Sequence, residues 1–148
     1  MPRKRKPKNS TLPRFLIVAG LVLLVAVVLM VKDKPQAAAP AGVLPAAQLE
    51  RALEARQPAL AFYHSNNCHS CIEMIGIVQQ VYPEFSSSVA LVDVNVYAEE
   101  NRPLLRKQQI QYIPTLVFYD QQGSREVFVG VMETEALRKK LTTIQGSQ

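Results

Sequence analysis

Hydrophobic positions divide the chain into one long apolar run and a series of shorter patterned segments. Residues 15–31 are 17 consecutive positions without a charge, which would span roughly 25 Å as a helix. Beyond residue 45, apolar residues recur at helical spacing, as at Leu49 and Leu53, or in unbroken blocks, as at 59–64. The spaced pattern predicts amphipathic helices, and the unbroken blocks predict strands that are buried on both faces.

The elements after the long run follow one another as helix, strand, helix, strand, helix, strand, strand and helix. Asn66 or Asn67 is a candidate N-cap for the second helix and Asn101 for the third. The strands are expected at 59–64, 89–94, 115–119 and 125–129, and the helices at 46–56, 68–82, after Asn101, and at 134–144. This order predicts an α/β fold with a mixed central sheet and helices on both faces.

The uncharged run at 15–31 is predicted to be one transmembrane helix, because it has no polar face. Six basic residues and no acidic residue precede it, so residues 1–14 are expected to stay in the cytoplasm as a basic tail. The chain would then cross the plasma (inner) membrane once, contact lipid through 15–31 and export the rest. A cleaved signal peptide is the alternative, since Ala37-Ala38-Ala39 resembles a cleavage site.

Composition separates the exported part into a linker and a domain. Residues 32–45 are rich in Ala and Pro and predict a semi-extended tether, and residues 46–148 are expected to form the folded domain. The net charge of +5 belongs to the N-terminal region, because residues 44–148 hold nine Lys/Arg against eleven Asp/Glu. No nucleic-acid partner is therefore expected.

The only two cysteines, Cys68 and Cys71, lie at the junction between a predicted strand and the helix that follows it. Free N–H groups and the dipole at a helix N-terminus stabilise an anion, which lowers the pKa of a thiol placed there. A C-x-x-C at such a junction predicts a redox pair that forms a redox-active disulfide. A purely structural disulfide is disfavoured, because so short a loop constrains the unfolded chain little.

Both histidines lie near this pair. His69 and Ser70 separate the cysteines and are expected to tune the reactivity of the Cys68 thiolate, although His69 can equally be a solvent-exposed residue of no consequence. His64 can also join Cys68, His69 and Cys71 as a zinc or copper ligand. His69 cannot easily converge with both cysteines from within one turn, so no metal is expected.

The segment 44–145 resembles the thioredoxin family. Beyond the C-x-x-C, Ile113-Pro114-Thr115 follows Cys71 at a distance of 43 residues and is similar to the family's cis-proline motif. Val129-Gly130 is similar to the Val-Gly near the family's last strand. The resemblance implies the thioredoxin fold, here preceded by one transmembrane helix.

The resemblance also implies roles for individual residues. Cys68 would be the exposed nucleophile and Cys71 the buried resolving thiol, acting through a mixed disulfide. Pro114 would be cis, and the backbone of Ile113 would bind an extended protein substrate.

Several positions depart from the family pattern. Asn67 replaces the usual Trp, Phe62 replaces a buried acid that aids proton transfer at the resolving cysteine, Leu91 replaces a lysine, and Gly76 replaces a helix-kinking proline. Glu73 can substitute for the missing acid, although a solvated residue on the helix face is the simpler interpretation. The departures favour a dedicated, membrane-anchored relative over a general thioredoxin.

The sequence therefore predicts a membrane-anchored, monomeric thiol–disulfide oxidoreductase that needs no metal or organic cofactor. Its expected partners are protein thiols and disulfides and a membrane redox partner. The alternatives are a non-catalytic thioredoxin-fold module that binds extended segments along Ile113 and Pro114, and a metal-binding envelope protein.

Overall fold

The four predicted strands form one mixed sheet. The computed structural model describes residues 42–146, in which β1 (Ala59–His64), β2 (Ala90–Asn95), β3 (Thr115–Tyr119) and β4 (Arg125–Val129) lie in the order β2-β1-β3-β4. β1 is parallel to β2 and antiparallel to β3, and β4 is antiparallel to β3. The predicted strand at 89–94 is displaced by one residue, and the other three have the predicted bounds.

Four helices accompany the sheet. They are α1 (Pro45–Glu54), α2 (His69–Val81), α3 (Arg102–Gln108) and α4 (Thr134–Gly146). α2 ends before Tyr82, because Pro83 has no N–H to continue the helical bonds and the chain tightens into a 3-10 turn. Asn101 occupies the predicted N-cap position of α3, but its side-chain amide donates to the carbonyl oxygen of Asn95 at 2.9 Å and makes no cap bond.

Side chains of β1 alternate between two halves of the core. Leu60 and Phe62 pack with residues of α2 and α4, whereas Ala61 and Tyr63 pack with residues of α1 and α3. All six residues of β1 are buried, as expected for a central strand covered on both faces. The mixed sheet with helices on both faces is therefore confirmed.

Strand pairing determines which loops meet at one edge of the sheet. Tyr63, the last but one residue of β1, pairs with Thr115 at the start of β3. The loop that follows β1 and the loop that precedes β3 consequently lie at the same end of the sheet. These loops carry Cys68 and Pro114, so the fold brings to one end of the sheet two residues that are 46 positions apart in the sequence.

The predicted N-terminal segments lie outside the described residues. These are the basic tail at 1–14, the transmembrane run at 15–31 and most of the linker at 32–45. Within residues 42–146, no helix has both the length and the apolar character needed to cross a membrane.

Packing of α4 against the sheet should make a large contribution to stability. Leu137 is fully buried in the core half that contains α2 and α4. We expect Leu137→Ala to lower the free energy of unfolding by about 2–5 kcal/mol, because it leaves a cavity in a close-packed region. Lys139→Ala, at an exposed position of the same helix, should change it by less than about 0.5 kcal/mol. Equal losses in urea unfolding would contradict this account of the core.

Candidate active site

Cys68 is the N-cap of α2. Its backbone is extended, with φ −110° and ψ 121°, and its sulfur accepts a hydrogen bond from the backbone N–H of Cys71 at 3.3 Å. The capping role predicted for Asn66 or Asn67 is wrong, because the thiol takes the place that a Ser or Asp oxygen usually occupies. The preceding loop is closed by Ser65, whose hydroxyl accepts the N–H of Asn67 at 3.1 Å.

Hydrogen bonds at Cys68 favour its thiolate. The bond with the Cys71 thiol is the largest cause that lowers the pKa of Cys68, and the bond with the Ser70 hydroxyl, at 3.3 Å from the sulfur, is the next. Backbone groups of Cys71 and Ser70 lower the pKa further. Because the thiolate is the nucleophilic form, these contacts favour reaction at the half-exposed Cys68.

Cys71 has the opposite environment. It is fully buried, and burial raises the pKa of its thiol to about 11. The hydrogen bond with Cys68 also raises this pKa, and the backbone of Ser65 opposes the rise. Cys71 is therefore protonated at neutral pH, as suits a thiol that reacts second.

The Ile113–Pro114 peptide bond is cis, as the resemblance implies. Two hydrogen bonds hold this loop: the Thr115 hydroxyl donates to the Tyr112 carbonyl at 2.7 Å, and the N–H of Gly130 donates to the Pro114 carbonyl at 2.8 Å. Gly130 adopts φ +108°, a conformation that favours glycine. The Val-Gly similarity thus has a structural reason, since the positive φ of Gly130 accompanies the hydrogen bond from its N–H to the Pro114 carbonyl.

A shallow cavity adjoins the cis-proline loop. Its volume is about 230 Å³, and its rim includes Tyr97 and Tyr112, which are 71% and 66% exposed. The lining residues are Val96, Tyr97, Leu105, Ile110, Gln111, Tyr112 and Ile113. The cavity can accept an apolar side chain next to the backbone of Ile113.

The two histidines occupy different environments. His69 is exposed in the first turn of α2 and makes none of the hydrogen bonds at Cys68, so its tuning role stays a prediction. His64 is buried, and its Nε2 lies 2.5 Å from Oδ1 of Asp93. Among residues 42–146, no cluster of three or more His, Cys, Asp or Glu side chains is arranged to hold a metal ion.

Sequence reasoning missed two residues near this site, Ser65 and Asp93. Ser65 is 1% exposed and shapes the turn before Cys68 through its hydroxyl. A signal for Asp93 was present, because it is an acidic residue inside an otherwise apolar strand. Its position opposite Phe62 depends on strand register, which the sequence pattern did not provide. Glu73 is exposed on α2.

Comparison with known proteins gives a consistent result. The family model for a thioredoxin-like domain matches residues 45–145. The thiol:disulfide interchange protein TxlA of Synechococcus elongatus is 24% identical over 142 residues, which cover 94% of this chain and 74% of that protein.

Solved structures share the fold. Chloroplastic thioredoxin z has a TM-score of 0.59 at 22% identity and is matched over 68% of this chain and 90% of its own. Thioredoxin O2 from Arabidopsis thaliana has a TM-score of 0.60 at 15% identity, over 69% of this chain and 90% of its own. These likenesses show the thioredoxin fold for the described domain.

The unequal thiols predict an order of alkylation. At mildly acidic pH, iodoacetamide should label Cys68 before Cys71, because only Cys68 has a lowered pKa. Ser70→Ala removes the hydroxyl that bonds to the Cys68 sulfur, so it should raise that pKa and slow the labelling several-fold.

Ser86→Ala is the matched control, because the Ser86 hydroxyl bonds to the Pro83 carbonyl in the turn after α2. Its labelling rate should equal that of the unaltered protein. If mass spectrometry finds Cys71 labelled first, the roles of the two thiols are reversed.

Proposed function

The chain belongs to the thioredoxin-like family, and on that premise we propose that it is a membrane-anchored thiol–disulfide oxidoreductase that acts through Cys68-His69-Ser70-Cys71. The observation that carries the proposal is the contrast between its two thiols. Cys68 is half-exposed with a lowered pKa, and Cys71 is buried with a raised one, within a single helical turn. This contrast separates an attacking sulfur from a resolving sulfur.

The exchange proceeds in two displacement steps. The Cys68 thiolate attacks one sulfur of a substrate disulfide, so that a Cys68–substrate bond forms and the other substrate sulfur leaves with the electron pair. Cys71 then gives up its proton and attacks the Cys68 sulfur, which releases the second substrate thiolate. The substrate gains two electrons, and the protein keeps a Cys68–Cys71 disulfide. The same steps in reverse oxidise a substrate dithiol.

The substrate would bind along the cis-proline loop. Pro114 has no N–H, so it cannot donate a hydrogen bond towards the reacting sulfurs. The backbone of Ile113 is then available to an extended segment, and the cavity beside it can hold a neighbouring apolar side chain of that segment. Protein thiols and disulfides in extended segments are the substrates that this surface fits.

Anchoring rests on the sequence. The uncharged run at 15–31 and the six basic residues before it support a single crossing with the domain outside the cytoplasm. An anchored domain can exchange electrons with a membrane redox partner as well as with exported proteins. The relative TxlA, named a thiol:disulfide interchange protein, supports the exchange reaction.

Trapping tests the exchange reaction. Cys71→Ser should accumulate mixed disulfides between Cys68 and protein partners, since nothing resolves them, and should lose insulin reduction by dithiothreitol. Cys68→Ser should also lose activity but should trap nothing. Diagonal gels and mass spectrometry identify the bonded residue. A non-catalytic binding module would instead leave both variants able to bind segments and would show no catalysis in the unaltered protein.

A topology reporter tests the anchor. A reporter that is active only outside the cytoplasm, fused after Gln148, should be active and should sediment with membranes. Changing the six basic residues before position 15 to neutral ones should reduce its activity, because they hold the N-terminus inside. A soluble mature protein that begins near Ala41 would show a cleaved signal peptide instead of an anchor.

A further inference from the structure

His64 is a buried titratable side chain that the exchange reaction described above does not use. It is 6% exposed, its Nε2 lies 2.5 Å from Oδ1 of Asp93, and its Nδ1 is buried without a hydrogen-bond partner. Its ring stacks on Phe62 with centroids 4.7 Å apart, and its carbonyl accepts the N–H of Val96 at 3.0 Å. The ring is therefore fixed, and one of its nitrogens is free to hold a proton.

The fold places His64 on the same side of the sheet as Cys71. Alternation along β1 puts His64 on the face that carries Leu60 and Phe62, and α2 covers that face. Cys71 lies in the first turn of α2, and the backbone of Ser65, the next residue after His64, acts on the Cys71 sulfur. His64 therefore adjoins the segment that contacts the resolving thiol.

Resolution of a mixed disulfide requires a proton acceptor. Cys71 reacts only as the thiolate, and burial holds the pKa of that thiol at about 11. The position at which related proteins carry a buried acid is occupied by Phe62, and Glu73 is exposed. Among the described residues, the other buried side-chain oxygen or nitrogen without a partner is Oη of Tyr63, which faces the opposite half of the core.

We propose that His64, oriented by Asp93, accepts the proton of Cys71 when that thiol resolves the mixed disulfide. The Asp93 carboxylate accepts a hydrogen bond from Nε2–H, which leaves the lone pair on Nδ1. Transfer requires the Cys71 sulfur and Nδ1 to come within hydrogen-bond reach, directly or through one water, as the thiol turns to attack. The proton then passes from the sulfur to Nδ1, and Asp93 stabilises the imidazolium. The Cys71 thiolate then bonds to the Cys68 sulfur, and the substrate sulfur leaves with the electron pair. This inference rests on the proposed function.

Few other charges lie on this side of the sheet. Asp93 comes from β2, and α2 contributes Cys71 and the exposed Glu73. β3 contributes Leu116 and Phe118 there. Lys140 of α4 lies over the Phe118 ring and is paired with Glu126 of β4, both at the opposite end of the sheet from His64. The core-facing residues of α4 are Leu137, Leu141 and Ile144. Asp93 is therefore the charged group that most directly affects protonation of His64.

A symmetric aromatic disulfide that releases a coloured thiolate separates the two steps in stopped flow. The first release reports attack by Cys68, and the second reports resolution by Cys71. In the full-length protein, His64→Gln should leave the first release unchanged and slow the second by at least about tenfold, since general bases typically contribute about 100- to 10,000-fold. Gln can still donate a hydrogen bond to Asp93 but cannot take a proton. If the role of His64 were only structural, the second release in His64→Gln would therefore keep the unaltered rate.

The pH dependence adds a second readout. The second release in the unaltered protein should fall along an acid limb as its proton acceptor becomes protonated and should level off at higher pH, whereas in His64→Gln it should keep rising with pH towards the pKa of Cys71, about 11. Asp93→Asn should move the limb to lower pH, because the imidazolium loses its counter-charge. The Asp93 side chain is 65% exposed, so this variant remains informative if His64→Gln does not fold.

Glu73→Gln is the matched control, and both releases should keep their rates. If His64→Gln resolves at the unaltered rate, or if Glu73→Gln slows the second release instead, His64 is not the proton acceptor. If both releases slow equally in His64→Gln, and Asp93→Asn leaves the pH limb in place, the role of His64 is structural. If the unaltered protein gives no first release, the proposed function itself fails.

Discussion

The hydrogen bond from the backbone N–H of Cys71 to the Cys68 sulfur caps α2 and, together with the bonds from the Cys71 thiol and the Ser70 hydroxyl, favours the Cys68 thiolate. A capping sulfur must lie at the N-terminal end of the helix, so Cys68 is directed towards solvent while Cys71, three residues later, turns into the core. The same contact stabilises negative charge at Cys68. Local helix geometry thus produces a pair of chemically unequal thiols from two identical side chains.

The sheet positions the rest of the site, because its strands fix the loop before Cys68 and the loop that carries Pro114. β1 is buried throughout and leads directly into the turn at Ser65 that precedes Cys68. Pairing of Tyr63 with Thr115 brings the cis Ile113–Pro114 loop to the same edge. Burial raises the pKa of the Cys71 thiol, and His64, its proposed proton acceptor, lies on the face of β1 that α2 covers. The buried core and the reaction therefore share the same residues.

Much of this arrangement was predictable, because it follows from local patterns. Unbroken apolar blocks predicted the strands, helical spacing predicted the helices, and the Cys68–Cys71 spacing with Pro114 predicted the family. The roles of Cys68, Cys71 and Ile113 stay predictions. The N-cap of α2 is Cys68 and not Asn66 or Asn67, and Asn101 caps α3 by position without a side-chain bond, because a loop's own turns decide which side chain reaches the first free N–H groups. The pairing of His64 with Asp93 was missed, since it joins residues 29 apart and depends on strand register. Anchoring stays a prediction from residues 15–31.

Equilibration with glutathione buffers tests the central claim most directly. The full-length protein would be titrated across ratios of oxidised to reduced glutathione, acid-quenched, alkylated and weighed. One two-electron transition is expected, in which both thiols disappear together as an internal disulfide, with a potential between a reducing limit of about −270 mV and an oxidising limit of about −120 mV. Independent titration of the two thiols, or glutathione retained on Cys68 at equilibrium, would contradict it.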